Sequence, residues 1–180
     1  MKLTHLPLAA ALCLASLGAM AQTKAPEPDY TLSYNVGVVT DYRYRGLSQS
    51  SLKPAVQAGA DFAHKSGFYL GVWGSSIDWI KDDGVTAAVN SGSTAVEVDL
   101  YGGYKGSAGG VSYDVGLLQY VYPGNKYAAI AGAANANTTE IYGAVTLGPV
   151  TAKYSHSLSN TFGFGNSKGS YYVDLSASFD

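Results

Sequence analysis

Val96-Glu97-Val98-Asp99-Leu100-Tyr101 decides the fold: apolar and acidic residues alternate one by one. That period of two puts Val96, Val98 and Leu100 on one face of a strand and Glu97, Asp99 and Tyr101 on the other. A helix would scatter the same residues around its axis. The pattern repeats on both sides of this stretch. Downstream, Val111, Tyr113, Val115 and Leu117 oppose Ser112, Asp114 and Gly116. Ile141, Val145 and Leu147 oppose Glu140, Tyr142 and Thr146. Val150, Ala152 and Tyr154 oppose Thr151, Lys153 and Ser155, and Tyr171, Val173, Leu175, Ala177 and Phe179 oppose Tyr172, Asp174, Ser176 and Ser178. Upstream, Phe68, Leu70 and Val72 oppose Tyr69, Gly71 and Trp73, and Val56, Ala58, Ala60 and Phe62 oppose Gln57, Gly59 and Asp61. The first strand is expected over 31–45, with Tyr34, Val36, Val38, Thr40, Tyr42 and Tyr44 on the apolar side and Asp41, Arg43 and Arg45 opposite. Eight strands are expected in all.

The connections alternate in length. Segments 65–67, 105–110 and 148–149 are short; 46–53 is medium; 81–93, 123–137 and 160–169 are long. Outer-membrane barrels have short turns at one end and longer loops at the other. The strands approach the roughly 9–11 residues that a tilted spanning strand needs. Tyr30, Phe68, Trp79, Tyr104, Tyr120, Tyr122 and Tyr171 fall near strand ends, as in an interfacial aromatic girdle, although Tyr and Trp also favour strands intrinsically. Only 13% of the chain is charged, against roughly 25% in ordinary soluble domains.

The N-terminus reads as an export signal. Lys2 precedes an apolar run over 6–17, and Ala19-Met20-Ala21 is a small-x-small cleavage site, so cleavage is expected between Ala21 and Gln22. The domain organisation is then a signal peptide over 1–21, a flexible Pro-containing lead-in over 22–29 and a β-barrel domain over 30–180. The only cysteine, Cys13, lies in the leader, so disulfides and cysteine-ligated metals are excluded from the rest. A slightly acidic balance excludes a nucleic-acid footprint.

Together these features predict an all-β, antiparallel, up-and-down transmembrane β-barrel of the outer membrane. In hydrocarbon every backbone N–H and C=O must be paired internally, which strands manage only by closing. A soluble barrel turned inside out shows the same alternation, so periodicity alone does not separate the two. The candidate lumen-facing charges are Asp41, Arg43, Arg45, Asp61, Glu97, Asp99, Asp114, Glu140, Lys153 and Asp174. Acids predominate, which either biases passage toward cations or lets the charges pair and fill a small barrel. No cofactor, metal or enzymatic role is expected. Gly165-Asn166-Ser167-Lys168-Gly169 has the spacing of a nucleophile elbow, but sits in a loop between strands. His156 with Ser155 or Ser157 is a conceivable pair for lipid hydrolysis, but adjacent strand residues point to opposite faces, which argues against it.

The stretches 41–50 (DYRYRGLSQS), 64–71 (HKSGFYLG), 99–106 (DLYGGYKG), 113–116 (YDVG), 122–124 (YPG) and 139–143 (TEIYG) resemble the proteobacterial TorF-type porin family of conserved hypothetical outer-membrane proteins. The resemblance covers about Tyr30 to Asp180 and implies a porin-type barrel without catalytic residues. It also implies that further strands follow, so the chain is expected to be C-terminally truncated; eight strands alone would close around a filled interior. The function expected is passive diffusion of small solutes across the outer membrane, the partners being the bilayer and polar solutes. The alternatives are a small closed structural or adhesive barrel and a soluble secreted barrel binding an apolar ligand.

Overall fold

A computed structural model describes residues 28–179. The expected signal peptide, its cleavage point at Ala21 and Gln22, and residues 22–27 of the lead-in lie outside the described residues. The protein is all-β. Its main sheet holds eight strands: β1 (Tyr30–Val39), β4 (Ala55–His64), β5 (Phe68–Ser76), β6 (Val96–Ala108), β7 (Val111–Val121), β8 (Thr138–Leu147), β9 (Val150–Ser157) and β10 (Tyr171–Ala177). A separate two-stranded ribbon, β2 (Arg43–Tyr44) and β3 (Leu47–Ser48), lies between β1 and β4. Each strand of the main sheet pairs antiparallel with the next, in the order β1-β4-β5-β6-β7-β8-β9-β10. Among the described residues no ladder joins β1 to β10, so the sheet is an open meander with two edges.

The three tight turns, around 65–67, 109–110 and 148–149, gather at one end of the sheet. The long connections gather at the other end, as the alternation in their lengths requires. Two of these carry helical turns that strand periodicity did not predict. Helix α1 (Trp79–Thr86) follows β5, and a 3-10 turn, Tyr127–Ala129, follows β7. Helix α1 has an internal glycine, Gly84, and no side-chain cap, so its place is set by the burial of Ile80 rather than by propensity.

The first strand is shorter than its alternation implies. It ends at Val39, and the chain bends at Thr40–Asp41, where the Ser50 hydroxyl accepts the backbone N–H of Tyr42 at 3.0 Å. The β2–β3 ribbon turns on Arg45 and Gly46, whose φ angles are +48° and +85°. Two consecutive left-handed residues make the two-residue hairpin turn that matches strand twist, with Arg in a place usually taken by Asn, Asp or Gly. The bend reverses the expected facing of Tyr42 and Tyr44. Both turn inward, Tyr42 into the core and Tyr44 against it.

The two faces of the sheet differ sharply. On the apolar face Val36 is 83% exposed and Leu175 74%, whereas on the other face Glu97 is 2% exposed. The buried cluster comprises Tyr42, Ala55, Ile77, Ile80, Tyr120, Tyr122, Tyr127 and Ala136, gathered at the long-loop end. Tyr120, Tyr122 and Trp79 belong to that packing, which corrects their expected place in an outer girdle; Tyr30, Phe68 and Tyr171 do stand exposed.

The polar face is concave. The Tyr69 hydroxyl on β5 bonds that of Tyr142 on β8, with two strands between. Tyr42 packs on Trp73 of β5 and Arg45, three residues on, lies over Tyr172 of β10, so one short segment touches strands five places apart in the sheet. Tyrosines reach across this face because glycines lie under them. A Cβ on Gly71 would run into the Tyr101 ring, and one on Gly103 would sit 2.6 Å from the Tyr69 hydroxyl. Both glycines stand in register with the tyrosine that covers them.

Candidate functional site

The concave face carries a ladder of carboxylates, most of them held by phenols or cations. Nearest the long loops, Glu97 accepts hydrogen bonds from Tyr42 and Tyr122, both at 2.6 Å. One strand pair further round, Glu140 takes both arms of the Arg45 guanidinium, at 2.9 and 2.7 Å. The Tyr120 hydroxyl donates to Glu140 more weakly, at 3.4 Å, and bonds the Tyr44 hydroxyl. Asp99 lies between these two groups, and its Oδ1 is buried with no partner among the described residues. Lower on the same face Tyr101 donates to Asp61 at 2.6 Å and Tyr69 to Asp114 at 2.5 Å. Lys105 lies 3.8 Å from Asp114 and 4.7 Å from the centre of the Tyr69 ring. Lys153 lies 4.2 Å from the centre of the Tyr142 ring and faces Asp174 across the β9–β10 ladder.

The sequence-selected charges therefore divide. Arg45, Asp61, Glu97, Asp99, Asp114, Glu140, Lys153 and Asp174 share the concave face. Asp41 sits in the bend after β1 and Arg43 in the short ribbon strand β2, outside the main sheet; they pair with each other at 2.7 Å, and the Arg43 side chain is 56% exposed. Sequence reasoning placed Lys105 in a turn, yet the alternation Glu97, Asp99, Tyr101, Gly103, Lys105 runs on to it along β6. It also missed the tyrosines as the carboxylates' partners. Their spacing on alternate residues was visible, but which strand lies across from which was not.

Segment 41–51 is the part of this site with most influence on the rest. From the bend after β1 it crosses the concave face. Tyr42 packs edge-on against Trp73 of β5 at 5.4 Å, and Tyr44 against Tyr120 of β7 at 5.6 Å. The Arg45 guanidinium lies over Tyr172 of β10 at 4.5 Å. Burial pushes the Tyr44 phenol up to about 12. Burial, then the Glu97 carboxylate, pushes Tyr42 up as well. For Arg45, burial opposes the charge, but the bonds to Glu140 prevail and leave its pKa above the usual value. The Ser48 hydroxyl, 2.5 Å from Asp41, is the chief cause holding that carboxyl below its ordinary range. Every one of these groups keeps its usual charge at neutral pH.

The loop with the elbow-like spacing is a hydrogen-bonded staple. Ser167 Oγ donates to the Phe164 carbonyl at 2.6 Å and accepts from the Thr161 N–H at 2.7 Å. His156 Nδ1 lies 3.2 Å from the Tyr154 hydroxyl, while Ser155 and Ser157 are buried on the opposite face. Among the described residues no group of three or more His, Cys, Asp or Glu side chains is arranged to hold a metal ion.

A model of a bacterial protein family of unknown function, Gcw_chp, matches residues 23–180. The chain belongs to that family. No curated protein and no solved structure matches it. The family match spans all eight strands of the sheet and segment 41–51, so the concave face and the apolar face both lie within it.

Proposed function

We propose that this protein is a β-barrel of the bacterial outer membrane that admits small polar solutes, with a bias toward cations. The observation that carries the reading is the inverted distribution of side chains. Aliphatic residues of every strand in the sheet stand exposed on one face, while Glu97, Asp99 and Glu140 are buried on the other. Monomeric soluble proteins rarely expose apolar patches beyond a few hundred Å². A hydrocarbon surround removes that cost. The two open edges, β1 and β10, are then paired, with each other or with further strands, because lipid leaves no backbone group unpaired.

Export through a cleaved signal peptide brings the chain to that membrane. The resemblance of the 41–50 stretch to TorF-type porins points the same way. Support for the cation bias is that acids outnumber bases on the concave face even with the buried Glu97 and Asp99 set aside: Asp61, Asp114, Glu140 and Asp174 against the three cations Arg45, Lys105 and Lys153.

The test is refolding of residues 22–180 with and without detergent micelles, followed by planar-bilayer recording. A form in micelles whose gel mobility changes on boiling, with stepwise conductance and a cation-favouring reversal potential in asymmetric KCl, is the expected result. A monodisperse folded protein without detergent defeats the membrane reading. Chloride selectivity defeats the cation bias. A second reading rests on segment 41–51, which occupies the concave face: a filled barrel with a structural or adhesive role. Folding in micelles without any conductance favours it.

A further inference from the structure

We propose that the loop end of the sheet holds a binding site for a small organic ammonium ion. The site does not depend on whether the barrel conducts. A cavity of about 420 Å³ opens among the long connections, and its walls include Trp79, Tyr127, Phe162 and Phe164. That size is within the range of small-molecule sites, roughly 300–1,000 Å³. Trp79 and Tyr127 meet edge to face, centroids 5.2 Å apart at 64°, so they form a corner of two aromatic planes. Phe162 packs against Tyr44, which also lines the cavity, and against Tyr120, at 5.7 and 5.0 Å. Three separate connections thus supply rings to one cavity: α1, the 3-10 turn after β7, and the β9–β10 loop.

The charge within the cavity selects the ligand. Two charged residues line it, Arg45 and Asp83. Arg45 is neutralised by the two-armed pairing to Glu140. Asp83 has no such partner. Its Oδ2 accepts the Tyr127 hydroxyl at 2.6 Å, and no Lys or Arg of the described residues lies within ion-pair distance. One uncompensated carboxylate beside four aromatic rings suits an alkylated ammonium, whose diffuse charge is attracted to ring faces and which loses little hydration on entering. A hard metal ion is not suited, because it needs six or more oxygen ligands and the walls offer few. An anion would be repelled by Asp83, which stands exposed at the cavity wall.

The test is isothermal titration of choline into the folded full chain, with Trp79 fluorescence as a local reporter. The comparison probe is choline's neutral isostere, in which a tert-butyl group replaces the trimethylammonium. Saturable choline binding, at least about tenfold tighter than the isostere's, is expected. Asp83→Asn should remove most of that difference. Since Asp83 also holds Tyr127, Phe164→Leu provides the second variant. Phe164 is 68% exposed, so the fold tolerates its loss, yet choline should bind several-fold more weakly. Equal binding of choline and its isostere overturns the proposal, as does the absence of saturable choline binding. Choline affinity unchanged in both variants also overturns it, because the site would then lie elsewhere.

Discussion

Arg45→Ala tests whether segment 41–51 is held on the concave face by charge or only by packing. The Arg45 and Glu140 side chains are 18% and 3% exposed, and their closest approach is 2.7 Å. Without the guanidinium, Glu140 keeps only the long bond from Tyr120, at 3.4 Å. A buried carboxylate stripped of its partner costs about 3–5 kcal/mol. The ring contact between Arg45 and Tyr172 adds about 0.5–2 kcal/mol to the loss. Alanine keeps a Cβ at the left-handed position, so the backbone term is nearly unchanged and the side chain is isolated. Against a total stability of about 5–15 kcal/mol, this is a large fraction. The assay is equilibrium urea unfolding of the folded full chain, followed by tryptophan fluorescence, as a double-mutant cycle with Glu140→Gln. The expected coupling is about 2 kcal/mol or more, and Arg45→Lys should recover part of it, since it restores the charge without the two-armed fork. An Arg45→Ala cost below about 1 kcal/mol, the range of an exposed ion pair, would refute the reasoning.

Gly71→Ala should destabilise by about 1–3 kcal/mol, because the new methyl enters the Tyr101 ring and displaces its bond to Asp61. Gly37→Ala, with nothing within 4 Å, should stay within about 0.5 kcal/mol, and unfolding of the two side by side checks the contrast. Leu100→Arg should cost about 2–4 kcal/mol for insertion into lipid vesicles if the apolar face meets the bilayer; an unchanged folding free energy there would contradict that placement. Alkaline titration provides a fourth check. The Tyr44 phenol is held up at about 12 in the folded chain, so its contribution to stability is complete below the ordinary tyrosine pKa and is lost as pH rises through about 12. Unfolding midpoints measured upward from pH 10 should fall, and Tyr44→Phe should flatten that fall.

The strands and their faces were legible in the sequence because side-chain alternation in a strand is local. Residues 96–101 need no knowledge of the remainder of the chain to separate Val98 from Asp99, and the same holds for the strands on either side. The grouping of tight turns at one end and long loops at the other follows from connection lengths in an antiparallel meander. Tertiary structure alone decided where that alternation stops. Thr40, Tyr42 and Tyr44 continue the period of β1 without a break, yet a bend held by Ser50 and a turn on Arg45 and Gly46 carry both tyrosines inward. On that course Tyr42 meets Glu97 and Arg45 meets Glu140, some fifty-five and ninety-five residues away along the chain. Helix α1 escaped for the same reason: its eight residues carry weak propensity, and Ile80 reaches the core only after the loops have met. The sequence by itself set the strands, their two faces and the excess of acid on one of them. Which phenol meets which carboxylate, and which rings close around Asp83, depended on the curvature of the sheet, a property of eight strands together and of no segment alone.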